Sequence, residues 1–179
     1  DNKIKKLNAK QILLQADLTN LDFYNNLQKL VCSRFDSIDF LINLVGKFSR
    51  LSPLTHFSQN DWNELIELNL NSYWRTLREL EPLLKKSKNP KIIFVTNFEI
   101  SMGKAYHNIF SVSKAAIQSM ARTYADENKK FNIKIKIIDL KKINKGMTSK
   151  ILKLNDISEK ELTKISKKII NKSFNNQNS

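Results

Sequence analysis

The stretch from Lys91 to Glu127, KIIFVTNFEISMGKAYHNIFSVSKAAIQSMARTYADE, constrains the fold more than any other part of the chain. Ile92, Ile93, Phe94 and Val95 form an unbroken apolar run of strand length, the pattern of a parallel strand covered on both faces. A polar loop containing Gly103 follows, and then a long alanine-rich helical pattern. Strand, short loop and long helix in that order are the first two parts of a βαβ unit. The pattern places Lys114 about one turn into the helix. From there it can point back over the strand's carboxyl end, where open α/β sheets bind ligands.

The rest of the chain repeats this alternation. Residues 1–10 form a polar, lysine-rich lead-in, and residues 11–18 an apolar run of strand length ending near Asp17. Thr19-Asn20-Leu21-Asp22 is a capping signal, and Phe23, Leu27, Leu30, Val31 and Phe35 then recur at helical spacing. Residues 38–46 read as a second buried strand that stops at Gly46, and residues 47–60 as a loop. Asp61 opens the longest helical pattern, to about Lys86, with so wide an apolar surface that more than one side must be covered. Pro82 is expected to kink or restart it. After the strand at 91–98 and the helix at 111–129, the alternation Ile133-Lys-Ile-Lys-Ile137 predicts a sheet edge with one wet face. Ser158-Glu-Lys-Glu161 is a capping box for a last helix, and residues 172–179 have the composition of a disordered tail. Alternating strands and helices without a linker predict one α/β domain over residues 1–179, a doubly wound parallel sheet in three layers.

Composition narrows the partners. The formal net charge is +14, but 26 of the 31 basic residues are lysines spread along the whole chain. Asparagine and isoleucine are over-used alongside them, as an AT-rich coding sequence would produce. The charge therefore reads as a solvated surface rather than a nucleic-acid site, because no basic–aromatic motif accompanies it. No apolar run approaches the ~18 residues of a membrane span. The lone Cys32 allows no disulfide within the chain and fits a cytoplasmic setting. His56 and His107 are single histidines in polar loops with no metal-ligand spacing. Tyr73 and Trp74 read as core or dimer contacts.

Order and spacing resemble the short-chain dehydrogenase/reductase family over roughly residues 11–147. Leu41-Ile42-Asn43-Leu44-Val45-Gly46 is similar to the family's strand-end motif L-V-N-N-A-G, with leucine for the second asparagine and valine for the alanine. Asn69, twenty-three residues past Gly46, matches the asparagine of the catalytic tetrad, and Lys114 matches its lysine. Gly103 fits the glycine of the serine loop, and Asp17 resembles the aspartate that meets the adenine ring. The resemblance implies a Rossmann-like fold and a cofactor, NAD or NADP, held in part by Asp17, Asn43, Gly46 and Lys114. It also implies a small carbonyl or alcohol substrate, and a homo-oligomer formed through the helices at 61–86 and 111–129. Asn43 has a second reading, as a tie between adjacent strands.

The departures from the family pattern bear on chemistry. The family's Tyr-x-x-x-Lys reads Phe110-Ser-Val-Ser-Lys114, and the catalytic serine, thirteen residues before the tyrosine, falls on Asn97. The resemblance gives that tyrosine the proton transfer that accompanies hydride transfer, help worth ~10²–10⁴-fold in rate. Phe110 has no ionisable oxygen; Tyr106, one turn earlier, is a candidate substitute if it reaches inward. The glycine-rich T-G-x-x-x-G-x-G turn has no counterpart, since Gly46, Gly103 and Gly146 are the only glycines. The resemblance therefore leads to two expectations, an oxidoreductase frame with impaired catalysis or a non-catalytic binding or dimerisation module of the same fold; a third, a basic nucleic-acid binder, rests on the net charge alone. In the family's 3-2-1-4-5-6-7 strand order, the strand at 11–18 would lack the neighbours that join it to the strand at 38–46. The two either pair directly or are joined by strands supplied from elsewhere, and the start at Asp1 suits a fragment.

Overall fold

The apolar run at 91–96 becomes the middle strand of a parallel sheet in the computed structural model, which describes residues 14–96 and 101–139. The elements in order are α1 (Leu21–Cys32), β1 (Phe40–Asn43), α2 (Gln59–Ile66), a π turn (Glu67–Asn71), α3 (Ser72–Lys86), β2 (Lys91–Thr96), α4 (Asn108–Glu127) and β3 (Lys134–Asp139). The strand order among the described residues is β1-β2-β3, with both pairings parallel. Phe40 lies opposite Lys91, and Lys91 opposite Lys134. Successive side chains of β2 alternate between faces, yet Ile92, Ile93 and Phe94 are all buried, as expected of a strand covered on both sides.

One core cluster joins Ile92 and Phe94 to Tyr73, Leu77 and Leu84 of α3 and to Ile117 and Ala121 of α4. A second cluster joins Leu80 and Leu83 of α3 to Tyr24 and Leu27 of α1. The wide apolar surface of the 61–86 pattern thus has two partners, the sheet and a neighbouring helix. Each buried side chain of this size contributes roughly 1.5–3 kcal/mol.

Several expectations are corrected. Residues 14–18 form no strand: Leu14 is exposed, and these residues pair with no strand among the described residues. Residues 11–13 lie outside the described residues. Strand β1, expected to be buried, has Phe40 and Ile42 exposed and is a sheet edge among the described residues. The long helix begins before Asp61, because Ser58 is its cap and Asp61 completes the capping box from the third helical position. Its regularity is interrupted at the π turn, while Pro82 lies inside a continuous α3. Among the described residues β3 is the other edge, the position its alternation predicts. The expected helix after Ser158, the lead-in at 1–10 and the tail at 172–179 lie outside the described residues.

Candidate active site

Helix α4 starts at Asn108, which puts Lys114 in its second turn. Ile109, Ser113, Ile117 and Ala121, four residues apart and all buried, turn one stripe of the helix onto the sheet. Lys114 borders that stripe and is itself only 5% exposed. Its Nζ donates to the Val45 carbonyl at 3.1 Å and lies 3.5 Å from the Tyr73 hydroxyl. The ring centres of Tyr73 and Phe110 are 5.2 and 5.3 Å away, within the range of cation–π attraction. No carboxylate forms an ion pair with this amine among the described residues. Burial disfavours the charged form and brings its pKa from 10.5 down to about 8.

Gly46 makes room for this arrangement. A Cβ at that position would come within 3.3 Å of Lys114 Nζ and 3.5 Å of Phe110 Cε2. Phe110, half-buried, stands edge-on to Phe48 with centroids 5.5 Å apart. At the position where the resemblance puts a proton-transferring tyrosine there is thus a hydrocarbon ring in an aromatic contact.

Asn69 is fully buried in the π turn, an irregularity frequent at functional sites. Its Oδ1 accepts from the Lys47 backbone N–H at 2.6 Å, and its Nδ2 donates to the Lys47 carbonyl at 2.9 Å. Both contacts fall on the residue after Gly46, so the asparagine fixes the loop on which the lysine rests. Asn43 is buried and accepts from the Val45 N–H at 3.1 Å. Among the described residues this bond is local to the strand end. Lys114, Phe110, Gly46, Asn69 and Asn43 are therefore brought to one place, around residues 43–47.

Asp17 is not joined to this group. Its exposed carboxylate accepts from the Thr19 N–H at 2.9 Å and the Thr19 hydroxyl at 2.7 Å, and these bonds hold its pKa below the usual value. Asn97 lies outside the described residues. Tyr106 is 60% exposed and does not replace the missing tyrosine. Its φ of 64° is left-handed. His107, expected in an exposed loop, is buried, with Nδ1 3.0 Å from the Ala105 carbonyl.

Sequence reasoning missed the role of Tyr73. Its hydroxyl donates to the Val45 carbonyl at 2.7 Å, so Tyr73 and Lys114 share one acceptor. The available signal was its place one helical turn after Asn69, on the same side of the helix. Tyr73 is fully buried and burial raises its pKa, so its hydroxyl stays protonated and out of reach of solution.

Among the described residues, no helix is long and apolar enough to cross a membrane, and no group of three or more His, Cys, Asp or Glu side chains could hold a metal.

Comparison with known proteins agrees with this frame. The family model described as short chain dehydrogenase matches residues 1–155. A 3-oxoacyl-[acyl-carrier-protein] reductase of Synechocystis is 30% identical over 116 residues, 65% of this chain and 47% of that protein. The corresponding reductase of Buchnera aphidicola is 28% identical over 168 residues, covering 94% of this chain and 65% of its own length. The chain spans about half the length of the curated relatives it matches. A short chain dehydrogenase structure from Shigella flexneri, complexed with NADP, superposes with a TM-score of 0.71 at 20% identity, covering 77% of this chain and 59% of the other. The parallel sheet with its packed helices is thus a Rossmann-like α/β fold. With 155 of its 179 residues matched, the chain belongs to the short-chain dehydrogenase family.

Proposed function

We propose that this chain is a short-chain dehydrogenase homologue whose NAD(P)-linked carbonyl or alcohol chemistry is impaired. The observation that carries this reading is the Phe110 ring, which stands beside the Lys114 amine where the family has its proton-transferring tyrosine. Without an ionisable oxygen there, a carbonyl receiving hydride has no positioned acid, a loss of ~10²–10⁴-fold. Lys114 and Asn69 are the retained tetrad members, and Asn97 and Phe110 the altered ones. NAD or NADP would contact the face formed by Asn43, Gly46 and Lys114, and Asp17 would meet the adenine. The glycine-rich turn that holds a pyrophosphate against a helix N-terminus has no counterpart in residues 1–179. Binding by this chain alone is therefore expected to be weak.

Titration with NADH and NADPH, followed by nicotinamide fluorescence, tests the cofactor part of the reading; saturable binding at micromolar concentration would overturn it. The double substitution Phe110→Tyr with Asn97→Ser is expected to restore reductase activity if the tetrad is the only defect. If it restores none, the main defect lies in cofactor binding.

A second reading, a binding or dimerisation module, draws support from a different place. A groove of about 650 Å³ runs between α3 and α4, lined by Trp74, Leu77, Met120 and Tyr124 among others. Trp74 is 49% exposed there, and the buried Tyr124 hydroxyl has no hydrogen-bond partner among the described residues. A second copy of the chain packed on this face would cover the tryptophan. Sedimentation of the wild type and of Trp74→Glu tests this, with a shift to monomer expected in the variant.

A further inference from the structure

We propose that the amino-terminal end of the parallel sheet, where Lys91 and Lys134 stand beside Phe40 and where Lys85 and Lys130 flank Phe131, is a surface that binds single-stranded nucleic acid without regard to sequence. This goes beyond the dehydrogenase reading. It uses the end of the sheet opposite the 43–47 loop and needs neither the Lys114 site nor a nicotinamide.

The sequence carries no basic–aromatic run, but the fold assembles one. Phe40, Lys91 and Lys134 open strands β1, β2 and β3, and the register sets them side by side as the first rung of the sheet. Partners on neighbouring strands point to the same face, so two lysines and an aromatic ring form one row. The Lys91 amine lies 5.4 Å from the centre of the Phe40 ring. The connections that enter these strands, residues 33–39, 87–90 and 128–133, lie at the same end. They bring Lys88, Lys130 and Phe131 there, next to Lys85 and Lys86 in the last turn of α3. The Lys85 and Lys130 amines are 4.5 and 5.1 Å from the centre of the Phe131 ring.

Positive charge at this end is only partly matched. At the carboxyl end of the sheet, Lys47 pairs with Glu64 and Arg50 with Asp61. At the amino end, Glu81 holds Lys85 at 2.6 Å and Asp126 holds Lys129 at 2.8 Å. Lys86, Lys88, Lys130 and Lys134 enter no ion pair among the described residues. The other acidic groups there, Asp36, Asp39 and Glu127, are fewer than these lysines, and the Asp39 carboxylate already accepts from the Ser87 hydroxyl. Lysines in a last helical turn suit the helix dipole, which accounts for Lys85 and Lys86. It does not account for Lys91 beside Lys134, since like charges side by side on a sheet repel. A row of phosphates would relieve that repulsion. Phe35 and Phe40, 47% and 37% exposed, offer ring faces on which unpaired bases stack. They lie in a connection and a strand rather than on an amphipathic helix, which favours bases over a lipid surface.

The test follows the fluorescence polarisation of a labelled oligothymidylate of about 16 nucleotides, the upper site size of one small binding module, with the full chain over a salt series. Lys130→Gln with Lys134→Gln removes two exposed charges from this end. Lys47→Gln with Lys104→Gln removes two from loops at the other end, so both variants have the same net charge. The expected result is a slope of log affinity against log salt that falls by about 1.4 in the first variant, about 0.7 for each lost phosphate contact. In the second variant it stays at the wild-type value. A duplex of the same length should bind more weakly, because paired bases offer no face to Phe35 and Phe40. No binding by the wild type, equal slopes in the two variants, or tighter binding of the duplex would overturn the proposal. Retention on phosphatidylserine vesicles without binding of the oligonucleotide would overturn it as well.

Discussion

Strands β1 and β2 are neighbours in one sheet, but they lie in opposite surroundings. Around β2, every apolar side chain from Ile92 to Val95 is buried, and the polar groups nearby, Asn69 and Lys114, have named partners. Along β1, Ile42 is 46% exposed and Leu44, just past its end, 67%, and Leu14 is open as well. A parallel strand normally has both faces covered, and β1 also has a ladder partner on one side only among the described residues. The comparison separates the two halves of the candidate site. The half carried by α4, the π turn and the 43–47 loop is held by this chain's own packing. The proposed adenine side, represented by Asp17, has no such support among the described residues.

If this contrast is real, substitutions on the closed side should be costly. The largest effect is expected for Asn69→Ala, which removes two hydrogen bonds and orphans both backbone groups of Lys47. With each orphaned buried group costing about 1–3 kcal/mol, urea unfolding should show a loss of roughly 3–5 kcal/mol. A loss below about 1 kcal/mol would mean that the loop takes water there.

Lys114 sharpens the comparison through pH. Its folded pKa, about 8, lies below the unfolded value of 10.5, so between these limits the unfolded chain binds more protons. Stability therefore rises with pH across that window, as the cost of burying the charge is relieved. The effect approaches about 3 kcal/mol at 1.36 kcal/mol per pKa unit. Subtracting the pH curve of Lys114→Met from that of the wild type isolates it, and a flat difference between pH 8 and 10.5 would contradict the buried position.

Smaller effects follow. Tyr73→Phe deletes the hydroxyl that shares the Val45 carbonyl with Lys114 and should cost about 1 kcal/mol. At the open edge, Ile42→Lys should change stability by no more than about 0.5 kcal/mol, the range of surface substitutions. A cost several times larger would show that the β1 edge is covered in solution, and the contrast would fail.

Much of the closed side could be read from the sequence. The 91–96 run and the alanine-rich helix carry strong periodicity that places Lys114 near the end of that strand, and the family resemblance adds Asn69 and Phe110. What escaped depends on distance along the chain or on missing neighbours. The apolar run before Asp17 has strand composition, but a strand needs a ladder, and residues 14–18 have none among the described residues. Pro82 is the obvious helix breaker by composition, yet the irregularity falls at Glu67–Asn71, where Asn69 is bound to the Lys47 backbone. The approach of Tyr73 to Lys114 joins positions 41 residues apart, and no local pattern encodes it.

The central claim is that this frame retains its lysine and asparagine but has lost the proton-transferring group beside them. The most direct test follows NADH and NADPH oxidation by the purified chain with small ketones and a 3-oxoacyl thioester, with Lys114→Met in parallel. The expected result is the same background rate for both proteins. Lysine-dependent, saturable turnover by the chain with Phe110 in place would contradict the account.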